Sequence, residues 1–424
     1  MLDLKRIRGE TDRVREAIAF KKSQADLDRT LKLDEERREL LVLAERLKHE
    51  RNDVSEEIGR LKKAGKDAAD KVAAMKGVGD KIKTLDARIA ELNAELAGIL
   101  AWIPNIPHPS VPKAEDASGN VVVREAAALR KFAFKPKPHW ELAESLGLLD
   151  FERAGKIAGA GFLLFTGRGA RLERALIQLM IDSAVRRGYT EVWAPHLVRR
   201  DCLFGTGQLP KLEEDMYRID GEDLFLNPTA EVPITNIYRD EILDGSRLPL
   251  LHVGYCASYR KEAGSYGRET RGMIRVHQFD KVELVKFVRP ETSYEEHETL
   301  LADAVAVLEA LELPHRVVLL AAGDLSFAAA KCYDLETWAP GEGRWLEVSS
   351  CSNFEDFQAR RAGIRFRPEA GAKTEYLHTL NGSGLALPRT FATLLEYHQT
   401  ESGSVRLPEA LLPYWDGDRE IAPG

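Results

Sequence analysis

The chain has 424 residues, of which 44% are hydrophobic and 30% are charged, so it is long enough for two or three domains with sizeable cores. Its four cysteines form no CxxC pair and its ten histidines form no HxxxH pair, which argues against a disulfide framework and against zinc. The N-terminus lacks a signal-peptide core, and no run of about eighteen apolar residues occurs, so we expect a cytoplasmic protein with no membrane partner.

The net charge of −7 is unevenly distributed along the chain. Residues 1–100 carry 23 Lys and Arg against 21 Asp and Glu, whereas the remainder carries 38 against 47. This acidic balance does not indicate a general nucleic-acid binder. Any contact with RNA must therefore use local basic patches, for which the N-terminal part is better suited.

Residues 1–100 predict two long helices that pack together. Apolar residues recur every seven positions from Leu33 to Leu61, and a second series from Met75 to Ile99 alternates spacings of three and four. This spacing is typical of an a/d heptad seam. The two seams have similar lengths, which favours one antiparallel hairpin over its alternative, a coiled coil between two molecules.

The hairpin should turn near residues 65–69, with its coiled coil over about residues 30–100, preceded by a short helical segment at residues 2–25. At about 1.5 Å per residue, each helix makes an arm on the order of 50 Å long. Prolines at four positions from Pro104 to Pro112 then stop any helix. The predicted domains are an arm at 1–103, a linker at 104–112 and a larger domain at 113–424.

The larger domain should mix strands and helices, because short β-prone runs alternate with amphipathic stretches. The predicted helices are residues 172–187, 294–311 and 390–397, and the predicted strands include residues 162–165, 314–320, 332–335 and 345–350.

The most informative stretch runs from Val253 to Val288. One β-prone run ends at Tyr259, a polar loop with Gly follows, and a second β-prone run begins at Met273, which predicts an antiparallel hairpin. Guanidinium groups such as that of Arg260 suit a bidentate grip on phosphate or carboxylate. A solvated hairpin with surface ion pairs explains the charges equally well when they are taken alone. Further charges in the loop are Arg268, Glu269 and Arg271.

Five other stretches carry polar or Gly-rich patterns, and each has an ordinary structural explanation when taken alone. Gly188–Pro195 could be a helix–turn–strand junction, Gly205–Pro210 a loop and Asn227–Glu231 a helix cap. Glu347–Asn353 could be a strand end whose hydroxyls are satisfied, although its hard oxygen donors suit Mg²⁺ with phosphates better than zinc. Asn381–Arg389 places a Gly-containing segment before an apolar helix.

Taken together, these stretches resemble the class II aminoacyl-tRNA synthetases, and the string EAGSYGRETRGMIRVHQFDKVE is similar to motif 2 of seryl-tRNA synthetases. Residues 188–195, 253–283 and 381–397 match motifs 1, 2 and 3 in the family's order. The resemblance implies an α+β fold with an antiparallel β-sheet flanked by helices and an N-terminal coiled-coil arm. It also implies a homodimer with motif 1 at its interface.

The resemblance also implies a role for each matching residue. Arg260, Glu262 and Arg389 would be catalytic, and Lys261 stands where many members have Ser. The implied ATP-binding residues are Arg260, Lys261, Glu262, Arg275, Val276, Phe279, Glu347, Val348, Ser349, Ser350 and Arg389. The implied serine-binding residues are Thr229, Ala230, Glu231, Arg260, Glu283 and Ser383. Glu347 and Ser350 would hold the Mg²⁺ that accompanies ATP.

The implied reaction joins L-serine and ATP to give seryl-adenylate and pyrophosphate, and then transfers serine to the 3′ end of tRNA(Ser), with tRNA(Sec) as a further candidate. Glu283, Ser383 and Thr229 would recognise the serine hydroxyl. The arm would grip the tRNA, with four basic side chains as candidates. These are Arg51, Arg60, Lys62 and Lys63.

Two other functions remain open at the level of sequence. One is a related ligase that loads an amino acid onto a carrier protein, but such homologues typically lack the long arm that is present here. The other is a catalytically silent relative that acts through its coiled coil, which the intact Arg260, Glu262, Glu283, Glu347 and Arg389 argue against. The sequence has no GxxxxGK[ST] loop and no HIGH or KMSKS string, so it indicates neither a P-loop enzyme nor a class I synthetase.

Overall fold

The structure is a computed structural model that describes residues 1–126, 128–262 and 272–423. The chain divides into two compact units, Met1–Pro104 and Asn105–Gly424. The proline-containing segment after this boundary belongs to the larger unit and packs against the rest of it. Within it, the Asn105 side-chain amide donates hydrogen bonds to the carbonyls of Ala328 and Phe354 at 2.9 and 2.8 Å.

The smaller unit consists of helices, as its heptad pattern predicts. Asp26 caps the longest helix by accepting a hydrogen bond from the Arg29 backbone N–H, and Gly65 takes a positive φ of 69° in the turn that follows this helix. The helices are α1 (Leu4–Gly9), α2 (Thr11–Phe20), α3 (Leu27–Lys63) and α4 (Ala69–Leu100).

Helices α3 and α4 pair antiparallel within one chain, which confirms the predicted helical arm. Arg29 near the start of α3 contacts Glu95 near the end of α4 at 2.8 Å, and Glu57 near the end of α3 contacts Lys71 at 2.8 Å. These ion pairs are exposed and contribute about 0–1 kcal/mol each. The apolar seam supplies most of the stability, because its residues are all buried or half-buried and Leu92 is fully enclosed.

The larger unit combines helices and strands. Its helices are α5 (His139–Ser145), α6 (Phe151–Ala158), α7 (Arg168–Arg186), α8 (Arg200–Thr206), α9 (Glu231–Thr235), α10 (Ser293–Ala310), α11 (Phe357–Ala362) and α12 (Leu387–His398). Its strands are β1 (Val121–Ala126), β2 (Thr190–Glu191), β3 (Leu197–Arg199), β4 (Leu224–Leu226), β5 (Ile242–Asp244), β6 (Leu250–Tyr259), β7 (Gln278–Val288), β8 (His315–Leu319), β9 (Lys331–Ala339), β10 (Arg344–Asn353), β11 (Arg365–Arg367), β12 (Glu375–Tyr376), β13 (His378–Ala386), β14 (Val405–Arg406) and β15 (Glu420–Ile421).

Eight of these strands form one sheet in the order β1-β8-β9-β10-β13-β7-β6-β2. All neighbouring pairs are antiparallel except β2 with β6. Helices α7, α10 and α12 pack on the sheet. The predicted class, an antiparallel sheet flanked by helices, is therefore confirmed.

Strand β7 shows how the sheet is covered on both faces. Val282, Leu284 and Val288 join the main apolar core with α7, α10 and α12, whereas Val285 and Phe287 join a second apolar cluster. Successive strand residues point to opposite faces. On this second face, Glu283 and Lys281 lie two and four positions before Val285. These polar residues belong to the functional site described below.

Two local predictions were wrong. Strand β7 begins at Gln278 and not at Met273. The backbone before it does not continue the strand, because Gly272 has a positive φ of 80° and the Ile274 carbonyl accepts a hydrogen bond from the Arg389 side chain at 3.2 Å. The predicted strand at residues 162–165 is only an isolated bridge between Leu149 and Phe165.

Among the helices of the described residues, none combines the length and the apolar character needed to cross a membrane.

Candidate active site

A cavity of about 530 Å³ opens in the larger unit, within the usual size range of small-molecule sites. It is lined by residues of β7, β10 and β13, three neighbouring strands of the sheet, by Arg260 directly after β6, and by the N-terminal end of α12. The loop that follows α8 and residues 326–328 complete its walls. The strands that carry the sequence motifs thus meet at one place.

Most residues predicted to bind ATP or serine line this cavity. They are Thr229, Glu231, Arg260, Glu262, Arg275, Val276, Phe279, Glu283, Glu347, Val348, Ser349, Ser350, Ser383 and Arg389. Two predicted residues lie elsewhere. The Lys261 side chain is exposed, with its Nζ 5.8 Å from the ring centroid of Tyr217, and Ala230 packs in the second apolar cluster.

Glu283 is fully buried, and three polar side chains surround its carboxylate. The Thr229 hydroxyl donates to Oε2 at 3.0 Å, the Asn381 amide donates to Oε1 at 3.1 Å, and the Lys281 ammonium forms an ion pair with Oε2. A carboxylate has about four acceptor positions. These contacts satisfy a buried charge that would otherwise be costly, and they leave room at Oε1 for one further donor.

Glu231 is the second buried carboxylate of the cavity, with only 7% of its surface exposed. The Gln358 amide donates to its Oε1 at 2.7 Å. Burial, together with the negative charge of Glu283, raises the pKa of Glu231 to about 7, against the opposing influence of Lys281, Gln358 and Arg260. A cation placed beside Glu231 would favour its ionised form.

Arg260 stands at the end of β6, where its position is fixed by two contacts. Its Nε donates to the Pro228 carbonyl at 3.2 Å, and its guanidinium carbon lies 5.1 Å from the ring centroid of Phe279. The side chain lines the cavity together with that of Phe279. A guanidinium and an aromatic face therefore stand side by side in the wall.

Two further arginines supply positive charge to the cavity. Arg275 forms an ion pair with Glu262, whose backbone has a positive φ of 52°, an uncommon conformation for a residue other than Gly. Arg389 donates to the Glu347 carbonyl at 2.9 Å and lies 3.3 Å from the Glu347 carboxylate. Such an array suits an anion with several oxygens.

Glu347 and Ser350 offer a carboxylate and a hydroxyl in the cavity wall, which are hard donors of the kind Mg²⁺ prefers. Asp334 pairs with Ser350 in the register of β9 and β10. Burial and the charge of Glu347 raise the pKa of Asp334 well above its ordinary range. This concentration of acidic oxygens fits a divalent cation bound together with phosphates.

A second group of potential metal ligands within the described residues is His139, Glu342 and Glu396, whose ligand atoms lie within 4.8 Å of one another. Glu396 already accepts hydrogen bonds from the His139 imidazole at 2.9 Å and from the Gly341 backbone at 2.7 Å. These bonds tie α5 to α12 and leave Glu396 little capacity for an ion. The sequence-based expectation of no zinc stays a prediction.

The sequence analysis did not identify three polar side chains that contact the two buried carboxylates. Lys281 and Asn381 each lie two positions before a predicted residue, Glu283 and Ser383, so the two-residue period of a strand could have found them. Gln358 lies 127 positions from its partner Glu231 and carries no local signal.

Other predicted residues lie away from the cavity or outside the described part. Arg60, Lys62 and Lys63 are exposed in the last turn of α3, and Arg51 lies three turns earlier. The loop charges Arg268, Glu269 and Arg271 fall in residues 263–271, outside the described residues.

Comparison with protein families matches both units. Residues 213–398 match the tRNA synthetase class II core domain (G, H, P, S and T). Residues 1–107 match the seryl-tRNA synthetase N-terminal domain.

Individual relatives match along the whole chain. A serine–tRNA ligase of Carboxydothermus hydrogenoformans is 55% identical over 420 residues, which cover 99% of each chain. One from Geobacillus kaustophilus is 54% identical over 423 residues, which cover 99% of this chain and 100% of the relative. The crystal structure of Pyrococcus horikoshii seryl-tRNA synthetase complexed with ATP superposes with a TM-score of 0.94 at 39% identity, covering 100% of both chains.

The raised pKa of Glu231 predicts a pH-dependent effect of Glu231→Gln on stability. A carboxyl whose pKa is raised from 4.5 to about 7 by folding stabilises the protein below pH 4.5, and this contribution is lost as the pH rises through 7. Gln does not titrate. As the pH rises from 4.5 to above 7, the free energy of unfolding of Glu231→Gln should therefore increase by on the order of 3 kcal/mol relative to that of the parent. Calorimetric unfolding at pH 4.5 and 8.5 measures this, and a pH-independent difference would contradict it.

Proposed function

We propose, from the fact that this chain belongs to the seryl-tRNA synthetase family, that it activates L-serine with ATP and transfers the seryl group to tRNA(Ser). The observation that carries this proposal is that Arg260 and the buried carboxylates Glu231 and Glu283 line one cavity. The same cavity continues to Arg275 and Arg389. It therefore offers complementary charges to a zwitterionic amino acid and to a nucleoside triphosphate.

Serine carries three polar groups, and the cavity has a partner of suitable chemistry for each. Arg260 suits the carboxylate, because a guanidinium grips two oxygens at once. Glu231 suits the ammonium, since one hydrogen bond from Gln358 leaves most of its acceptor capacity free. Glu283 suits the hydroxyl, because its contacts with Thr229, Lys281 and Asn381 leave space for a single donor.

ATP would occupy the arginine-rich part of the cavity. Phe279 would stack against adenine, while Arg260, Arg275 and Arg389 would contact the triphosphate, with Glu262 holding Arg275 in place. Glu347 and Ser350 would hold Mg²⁺, which when bound offsets negative charge on the phosphate oxygens. Residues 348–349 would contribute backbone contacts, because Val348 is part of the apolar core and the Ser349 hydroxyl donates to the Ser383 carbonyl at 2.7 Å.

In the first step, a carboxylate oxygen of serine attacks the α-phosphorus of ATP, a new P–O bond forms, and pyrophosphate leaves with the electrons of the broken bond. No protein nucleophile is needed. Arg260 would hold the attacking carboxylate against the α-phosphate and stabilise charge on its oxygens, and Arg389 would act on the leaving phosphates. Catalysis would thus depend on positioning and on preorganised positive charge.

In the second step, the terminal ribose hydroxyl of tRNA attacks the carbonyl carbon of seryl-adenylate, and AMP leaves. The arm would position the tRNA through basic side chains that contact phosphates rather than read bases. Use of tRNA(Sec) in addition to tRNA(Ser) stays a prediction.

We also infer a homodimer joined through the motif 1 region. Trp193 follows β2 in this region and is 73% exposed, although its ring lies 5.8 Å from that of Tyr255. Val185 on the preceding helix α7 is 43% exposed. Large apolar side chains that stay exposed in this stretch of the chain support a protein contact.

The central test is amino-acid-dependent exchange of pyrophosphate into ATP with each of the twenty amino acids. Serine should support exchange, whereas alanine and glycine should support hardly any, because they would leave the buried Glu283 without its last partner. Equal exchange with alanine would contradict recognition of the hydroxyl.

Arg260→Ala should reduce serine activation by about 2.7–4 kcal/mol of transition-state stabilisation, the usual effect of removing a preorganised donor. Arg260→Lys should not restore it, because an ammonium cannot make the bidentate contact. Arg153→Ala is a suitable control, since the Arg153 side chain is 73% exposed on α6. Exchange near the parent level in Arg260→Ala would show that the phosphate site lies elsewhere.

Replacing Leu33 to Ile99 by a short flexible linker should separate tRNA charging from activation. The seams of the arm pack mainly on each other, and the activation residues all lie in the larger unit. Exchange should persist while charging falls steeply.

Changing Arg51, Arg60, Lys62 and Lys63 to Gln should weaken tRNA binding and flatten its salt dependence without affecting exchange. Full charging by the deleted form would contradict this role of the arm.

Light scattering should give the parent protein twice the 47.4 kDa mass of one chain. Trp193→Glu should yield monomers, because a charge would be buried in the proposed interface. Val42→Glu, which changes a 68% exposed residue of the arm, is the matched control and should remain dimeric. A dimeric Trp193→Glu variant would place the interface elsewhere.

A further inference from the structure

We propose that Gln358 is a positioning residue that orients the Glu231 carboxylate for capture of the substrate ammonium group, and thereby sets the affinity for serine. The proposal rests on the proposed function and extends it to a residue outside the cavity wall. Gln358 lies on α11 and is only 1% exposed, so it acts through Glu231 and does not itself contact the substrate.

Gln358 makes three hydrogen bonds, which use both N–H groups and the carbonyl of its amide. Nε2 donates to Glu231 Oε1 at 2.7 Å and to the Thr206 backbone carbonyl at 3.1 Å. Oε1 accepts from the Thr379 hydroxyl at 2.7 Å. No donor of the amide is left over.

This arrangement permits one orientation of the amide. The Thr206 carbonyl can only accept a hydrogen bond, so the amide nitrogen must face it and Glu231 together. A flipped amide would point its oxygen at two acceptors and would lose the bond from Thr379. The hydrogen-bonding partners therefore set the orientation of the Gln358 amide, and the amide holds Glu231 Oε1 in position.

The charges around Glu231 explain why such a donor is needed. Glu283 opposes ionisation of Glu231, while Lys281 and Arg260 favour it. Lys281 already forms an ion pair with Glu283, and Arg260 is the partner proposed for the substrate carboxylate. Gln358 donates a hydrogen bond directly to the Glu231 carboxylate, and this bond favours the charged form that an ammonium requires.

Helix α11 is itself fixed to the wall of the cavity. Arg361, one turn after Gln358, donates to the carbonyls of Phe204 and Leu209 at 3.1 and 2.9 Å. Its guanidinium carbon lies 4.5 Å from the Phe204 ring centroid. The segment between these two carbonyls includes Thr206. One short helix thus holds both Glu231 and the loop beside it.

The experiment compares Gln358→Met, which removes the amide at similar volume, with the parent in serine-dependent exchange of pyrophosphate into ATP. The KM for serine should rise about tenfold or more, the effect of losing one hydrogen bond to a charged group. The KM for ATP should stay within about twofold, because the arginine-rich part of the cavity is untouched.

The pH profile gives a second readout that a merely structural role would not change. The acid limb of kcat/KM for serine should move to higher pH in Gln358→Met, because Glu231 would lose a donor that favours its ionised form. Thr379→Val, which frees the amide oxygen but keeps both donors, should shift serine KM in the same direction by less. This milder variant decides the question where Gln358→Met does not fold.

Arg360→Gln is the control for loosening of α11. Arg360 pairs at 2.6 Å with Asp356, the residue that precedes α11, so its loss should loosen the helix and leave the serine KM unchanged. A parental serine KM and pH profile in folded Gln358→Met would overturn the inference, as would an equal rise of the serine KM in Arg360→Gln.

Absence of serine-dependent exchange in the parent protein would instead overturn the proposed function. The shift of Glu231 titration in Gln358→Met, followed by carboxyl-carbon NMR, would then still test the positioning role.

Discussion

The site depends on the burial of two carboxylates, Glu231 and Glu283, in one cavity. Like charges in a low-dielectric pocket oppose each other's ionisation, and burial already raises the pKa of Glu231 to about 7. Most neighbouring polar groups offset this, since Lys281, Thr229 and Asn381 surround one carboxylate and Gln358 supports the other. The unsatisfied capacity that remains is matched to an ammonium and a hydroxyl. Specificity in this account therefore comes from buried groups that only the correct substrate can complete.

The sheet makes this arrangement possible. One face of β7 carries Phe279, Lys281 and Glu283 into the cavity and continues as Val285 and Phe287 in an apolar cluster, so the polar groups stand on a rigid base. Neighbouring strands β6 and β13 bring Arg260 and Ser383 beside them.

The combination of this intact site with the long arm distinguishes the chain from both functions left open by the sequence. A carrier-protein ligase would not need the arm, and a silent relative would not need the paired charges.

Much of this could be predicted from the sequence because the signals are periodic or carried by contiguous motifs. The 3,4 spacing from Met75 to Ile99 predicted α4, and the motif 2 string predicted the hairpin and the cavity residues along it. The start of β7 was missed because Met273 and Ile274 look β-prone, whereas the Ile274 carbonyl bonds to Arg389, 115 positions away. Gln358 was missed for the same reason, since its role exists only through contacts made across the fold. Local propensity cannot report such long-range hydrogen bonds.

The most direct test of the central claim is a crystal structure with a non-hydrolysable analogue of seryl-adenylate. The analogue's ammonium should contact Glu231, its serine hydroxyl should donate to Glu283 Oε1, and its adenine should lie against Phe279. Gln358 should keep its hydrogen bond to Glu231 in that complex. An analogue whose hydroxyl faces away from Glu283, or whose ammonium binds without Glu231, would contradict the claim that these two buried carboxylates select serine.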